Sequence, residues 1–91
     1  MYALEIKEEA DKIFRKLSIK NVNLLDIINK KIIDIMENPK HSYKFLRKPL
    51  QGFNRTHIDK NFVLVFKIDH KNQKIIIYYF NHHDKVYKWR P

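Results

Sequence analysis

Up to Pro39 the apolar positions recur at helical spacing, and beyond it they alternate or run together as strands do. YALEI (2–6) alternates briefly and predicts a short edge strand. KEEADKIFRKLS (7–18) then places Ala10, Ile13, Phe14 and Leu17 on one helical face. Glu8, Glu9 and Asp11 fall in its first turn, where the helix dipole favours negative charge. The polar segment 18–23 interrupts the pattern. NLLDIINKKIIDIMEN (23–38) predicts a second helix with Asn23 as N-cap, stopped by Pro39. Leu24, Leu25, Ile28, Ile32, Ile35 and Met36 make its apolar stripe, and Ile27 and Ile33 widen it beyond one contact face. Two helices with so short a connection predict a helical hairpin.

After Pro39 come four apolar runs. YKFL (43–46) and RTHI (55–58) are weak strand candidates. FVLVFKI (62–68) and KIIIYYF (74–80) are apolar on both faces, as central strands are. His70-Lys71-Asn72-Gln73 joins these two, and Asp59-Lys60-Asn61 forms the turn before them. The expected fold is α+β: a single domain, 1–91, with a two-helix hairpin on one face of a twisted antiparallel sheet. Its order is β-α-α-β-β-β with a short C-terminal helix or tail. Phe62, Phe66, Tyr78, Tyr79 and Phe80 are many aromatics for so small a sheet. Most are expected in the core, with one or two available to stack on bases. Tight turns at 59–62 and 70–73 would set His57 opposite Leu64 and Leu64 opposite Tyr79. His57 and His83 would then share a side of the sheet, and a single β-bulge would reverse this.

Ninety-one residues, 44% apolar, allow one modest core. The absence of cysteine excludes disulfides and thiol catalysis. Any metal would need histidine and carboxylate ligands, and no His-Glu-x-x-His spacing is present, so neither metal nor cofactor is expected. No run of eighteen apolar residues occurs and no signal pattern opens the chain, so no membrane partner and a cytoplasmic location are expected. Charge adds more. Residues 1–37 carry seven basic and seven acidic side chains, whereas residues 38–91 carry twelve and three. The net +9 and all five histidines therefore lie in the second part, the footprint expected for binding a polyanion such as nucleic acid.

The titratable groups crowd into NHHDKVYKW (81–89). On a strand His82 and His83 point to opposite faces, so one of them can serve a site on the sheet. Tyr87 follows His83 by four residues and meets it if the tail turns helical. A histidine donates or accepts protons near neutral pH, and Asp84 could orient one. Trp89-Arg90-Pro91 is either ordered against a ligand or frayed. In FLRKPLQGFNRTHI (45–58), Arg47, Lys48 and Arg55 surround a Pro-Leu-Gln-Gly element that could clamp phosphates. Gly52, the only glycine, suggests a turn that requires it.

LRKPLQGFNRTHIDKNFVLVFKID (46–69) followed by HHDKVY (82–87) resembles toxins of the RelE/ParE superfamily from type II toxin–antitoxin modules, in the RelE/YafQ-like archaeal-type branch. The resemblance implies the RelE-like fold and a ribosome-dependent endoribonuclease that cleaves mRNA in the ribosomal A site without metal. It carries His57, His83 and Tyr87 over as catalytic, together with Arg55. It makes Arg47, Lys48, Lys60, Lys85, Lys88 and Arg90 RNA- or phosphate-binding residues. A RelB-like antitoxin, acidic and partly disordered, would be the partner besides ribosome and mRNA, with Ile27 and Ile33 as contact points. Lys48 stands where YafQ-like relatives have a histidine. ParE-like members poison DNA gyrase and cleave nothing, so a non-enzymatic toxin and an inactive basic RNA-binding module are the alternatives.

Overall fold

The computed structural model describes residues 1–91. A short strand, β1 (Ala3–Ile6), leads into helices α1 (Glu8–Lys20) and α2 (Val22–Glu37). Strands β2 (Asn54–Ile58), β3 (Phe62–Asp69) and β4 (Lys74–His82) follow, and the four-residue helix α3 (His83–Val86) comes last. The sheet order is β1-β4-β3-β2. This is the expected α+β arrangement in the expected element order. One edge differs: β1 lies parallel to β4, so the sheet is mixed. The chain starts at that edge with β1, and β4 comes to lie beside it only after both helices and two strands, a long connection of the kind parallel pairing needs.

The helices are closer in sequence than their apolar pattern suggests. α1 runs on to Lys20, and only Asn21 separates it from α2. Asn21 serves both ends. Its N–H donates to Leu17 O, and its Oδ1 accepts from Leu24 N at 3.2 Å. The N-cap is thus Asn21 and not Asn23, which already lies inside the first turn of α2. Arg15 and Lys12 pair with Asp11 (2.8 Å) and Glu8 (3.4 Å) along the exposed face of α1. On α2, Leu24, Ile28, Ile32 and Ile35 are buried, while Ile27 and Ile33 lie outside, 42% and 49% exposed.

The sheet is covered on both faces. Ala10, Phe14 and the buried face of α2 pack on Ile58, Leu64, Phe66, Ile75, Ile77 and Phe80. On the opposite face the segment 46–53 and the C-terminal tail supply Leu46, Leu50, Phe53, Val86 and Trp89, which close over Val63 and Val65. The expected strand at 43–46 reduces to one bridge, Phe45 to Asn54. The tail is ordered by burial. Trp89 is 7% exposed, stacks on Tyr79 (5.2 Å, 9°) and donates from Nε1 to Glu9 Oε1 at 2.8 Å. Tyr78 and Tyr79 are therefore engaged with this second core and do not form an open stacking platform. No helix is long and apolar enough to cross a membrane.

Candidate functional site

The register at the far end of the sheet decides which side chains meet. His57 lies opposite Val63, and Val63 opposite Asn81. The expected partners, Leu64 and Tyr79, are each wrong by one position. The turn at Asp59-Lys60-Asn61 is a three-residue loop, since Ile58 pairs directly with Phe62. The four-residue hairpin 70–73 sets the anticipated pairing only as far as Phe66↔Ile77. Between Val65 and Phe66 a β-bulge shifts it by one residue. The two one-residue shifts compensate, so His57 and Asn81 share a face, and His83 follows two residues on. The bulge also turns Tyr78 to the same side as Tyr79.

Beyond His82 the backbone enters α3 at once, and His83 N–H donates to Asn61 O at 2.9 Å. The β2–β3 turn thereby holds the start of α3. The His57 and His83 rings stand 6.2 Å apart with planes 16° from parallel. One helical turn after His83, Tyr87 sets its ring edge against it at 5.9 Å. The Arg47 guanidinium covers Tyr87 at 5.4 Å. At the other end Arg55 Nη1 lies 3.5 Å from His57 Nδ1. Guanidinium only donates, so this contact needs an unprotonated Nδ1 and leaves the neutral ring's N–H on Nε2. Arg47, Tyr87, His83, His57 and Arg55 thus form one row across the end of the sheet, with both histidines exposed. Asp84 Oδ1 is 3.7 Å from His83 Nδ1, and both are open to solvent. His82 takes the opposite face, against Phe62 at 4.3 Å.

The other anticipated residues are placed less uniformly. Lys60, in the left-handed region at φ 66°, borders a shallow depression with Asn61, His82, His83 and Asp84. Lys48, Lys85 and Lys88 are exposed and lie outside every ion pair. Arg90 turns back, donating from Nη1 to Tyr87 O (3.0 Å) and Trp89 O (2.7 Å). Nowhere do three histidine, aspartate or glutamate side chains converge as metal ligands would. Gly52 does not explain the loop: its φ is not positive and an added Cβ would meet nothing within 4 Å. The left-handed positions are Asp59, Lys60 and Gln73. Sequence reasoning missed Val86 and Trp89, whose burial fixes α3 and hence the row. Their three-residue spacing in a polar tail was the available signal.

The groups with displaced titration lie elsewhere. Lys74, and then Lys7, hold the Glu5 carboxyl below its usual range, and Glu5 raises both lysines in return. Asn72, through its side chain and its backbone N–H, does the same for Asp69. Burial, aided by Asp34, pushes the Tyr43 phenol up.

No family model matches the chain. It is 50% identical over 88 residues to a candidate toxin, RelE4, of Methanocaldococcus jannaschii, covering 97% of this chain and 93% of that one. Among solved structures it resembles the Mycobacterium tuberculosis RelBE2 toxin–antitoxin complex, with TM-score 0.74, 20% identity, and 90% and 98% of the two chains covered. It also resembles a YoeB/ParE toxin from Agrobacterium tumefaciens, with TM-score 0.78, 13% identity, and 89% and 98% covered.

Proposed function

The chain belongs to the RelE family of toxins, and we propose that it is a ribosome-dependent endoribonuclease that stops translation by cutting mRNA in the A site. The row Arg47–Tyr87–His83–His57–Arg55 carries this reading. Two imidazoles 6.2 Å apart, each reaching about 3 Å to a hydrogen-bonded partner, can address two oxygens of one phosphate between them. In the reaction one histidine takes the proton of a ribose 2′-hydroxyl, whose oxygen attacks the adjacent phosphorus. The bond from phosphorus to the 5′-oxygen breaks, and the other histidine protonates that oxygen. The products are a 2′,3′-cyclic phosphate and a free 5′-hydroxyl. Arg55 and Arg47 offset the charge that builds on the phosphate, and Tyr87 holds the outer side of His83. Lys48, Lys60, Lys85, Lys88 and Arg90 add sequence-independent attraction to RNA.

Exposure of the row supports dependence on the ribosome. Nothing in this chain closes over His57 and His83, so exclusion of water and alignment of the strand must come from the surface on which the toxin docks. An acidic, partly disordered antitoxin of the RelB kind suits the basic half of the chain and would neutralise it; the solved RelBE2 structure is itself a toxin–antitoxin complex. The exposed Ile27 and Ile33 are apolar contact points for such a chain.

Primer extension on a reporter mRNA in a translating extract tests the proposal. Wild type is expected to give discrete, translation-dependent cuts, and His83→Ala to lose roughly 10²- to 10⁴-fold in cleavage rate. Intact mRNA with a folded wild-type protein would end the nuclease reading. It would leave a gyrase-directed toxin of the ParE kind, for which the histidines are dispensable, or an inactive RNA-binding module.

A further inference from the structure

β2 ends its pairing at Asn54↔Phe66, so Lys67–Asp69 of β3 have β4 on one side and no strand on the other. The segment 39–45 passes this gap without filling it. An open cavity of about 310 Å³ remains there, lined among others by Lys40, His41, Phe45, Lys67 and His70. No acid lines it. Phe45 is 59% exposed although its backbone is pinned by the bridge to Asn54. An open aromatic ring on an anchored backbone, among two lysines and two histidines, is what stacking on a base, with phosphates held alongside, requires.

The cavity is not isolated. His41, Ser42 and Tyr43 also line a second depression, which continues past Lys31, Lys44 and Arg55 to His57. His57 faces His83, and His83 opens onto the third depression with Lys60. The three form one track around the β2 side of the sheet, with Asp84 as its only acid. Lys67 lies four positions along β3 from Val63, the neighbour of His57, a distance of roughly 13 Å at strand rise.

We propose that this cavity is a second single-stranded RNA subsite, in which Phe45 stacks on a base and Lys40 and His41 hold the flanking phosphates. Its place on the track toward the histidines rests on the nuclease reading; the binding itself does not. An acidic peptide is the rival occupant. It is disfavoured because only Lys67–Asp69 of β3 remain free to pair with an added strand.

The test is fluorescence anisotropy with a labelled 12-nucleotide single-stranded RNA across a salt series. Wild type, Phe45→Ala and Lys40→Ala are compared, and cleavage in the translating extract is read in parallel. Phe45→Ala is expected to raise Kd roughly 5- to 100-fold. Lys40→Ala should lower the slope of log K against log salt by about 0.7. Both side chains are exposed, so circular dichroism should show unchanged folds. A Kd within twofold of wild type for both variants overturns the subsite even if the protein cuts mRNA. So does an absence of RNA binding by wild type, or Phe45-dependent binding of a glutamate-rich peptide in place of RNA. Phe45-dependent RNA binding by a protein that cuts nothing upholds the subsite and removes only the nuclease reading.

Discussion

Trp89→Ala is the most informative single change, because it separates holding the site from being the site. The aromatic rings that Trp89 meets and Glu9 are distant from it in sequence, and no aromatic contact joins it to His57 or His83. It stacks on Tyr79, meets Phe53 edge-on at 5.2 Å and hydrogen-bonds Glu9. With Val86 it anchors α3, a helix of four residues that cannot stand alone. Truncating a buried tryptophan costs about 3–5 kcal/mol, a large share of the roughly 5–15 kcal/mol that holds a small domain together. Trp89→Phe keeps most of the packing and loses the indole N–H. The partner, Glu9, is exposed, so that loss is expected near the low end, about 1 kcal/mol. Urea unfolding gives both values. Primer extension under conditions where each variant is folded gives the functional counterpart. Trp89→Ala should cut poorly even when folded, because Tyr87 and His83 lose their fixed positions, while Trp89→Phe should cut nearly as wild type. A Trp89→Ala protein that loses less than about 1 kcal/mol and cleaves normally would refute the role of the second core in holding the row.

Four further outcomes are expected. Glu5 and Asp69 have carboxyls held below their usual range, so the stability they contribute is present above about pH 4 and is lost as pH falls through their folded-state values. Urea midpoints measured from pH 7 to pH 3 should therefore fall less steeply in Glu5→Gln and Asp69→Asn than in wild type. Asn21→Ala should cost about 1 kcal/mol in the same assay, since it removes the cap of α2 at the joint between the helices. Gly52→Ala should fall within about 0.5 kcal/mol of wild type or above it, having open space and no positive φ to oppose a methyl group. Tyr87→Phe keeps the ring between His83 and Arg47, so it should retain more cleavage than Tyr87→Ala; equal loss in both would assign the work to the hydroxyl.

The elements and their order were legible because each rests on local chemistry. Helical spacing of Leu24, Ile28, Ile32 and Ile35 predicts a buried stripe whatever lies beneath it, and the runs 62–68 and 74–80 predict central strands on apolarity alone. The clustering of His57, His83 and Tyr87 was anticipated, but by a register that was wrong twice. The turn after β2 is one residue longer than a tight hairpin, and the bulge at Val65/Phe66 restores the parity that the turn removed. Asp59-Lys60-Asn61 marks the turn in residue type, but the bulge leaves no such mark, since the residues around it are all good strand formers.

By itself the sequence determined which residues are apolar in which period, where helix gives way to strand, and that the basic charge lies after Pro39. These follow from side-chain chemistry and near neighbours. Tertiary structure decided the rest. It set β1 parallel to β4, closed the second face with Trp89 where one or two aromatics were expected to stay available for stacking, and left Gly52 without a special task. It also brought Arg47 onto Tyr87 and His57 beside His83. Each of these depends on contacts between residues far apart in the chain. Their free energy comes from burial that exists only once all the elements are assembled, so no local pattern specifies them.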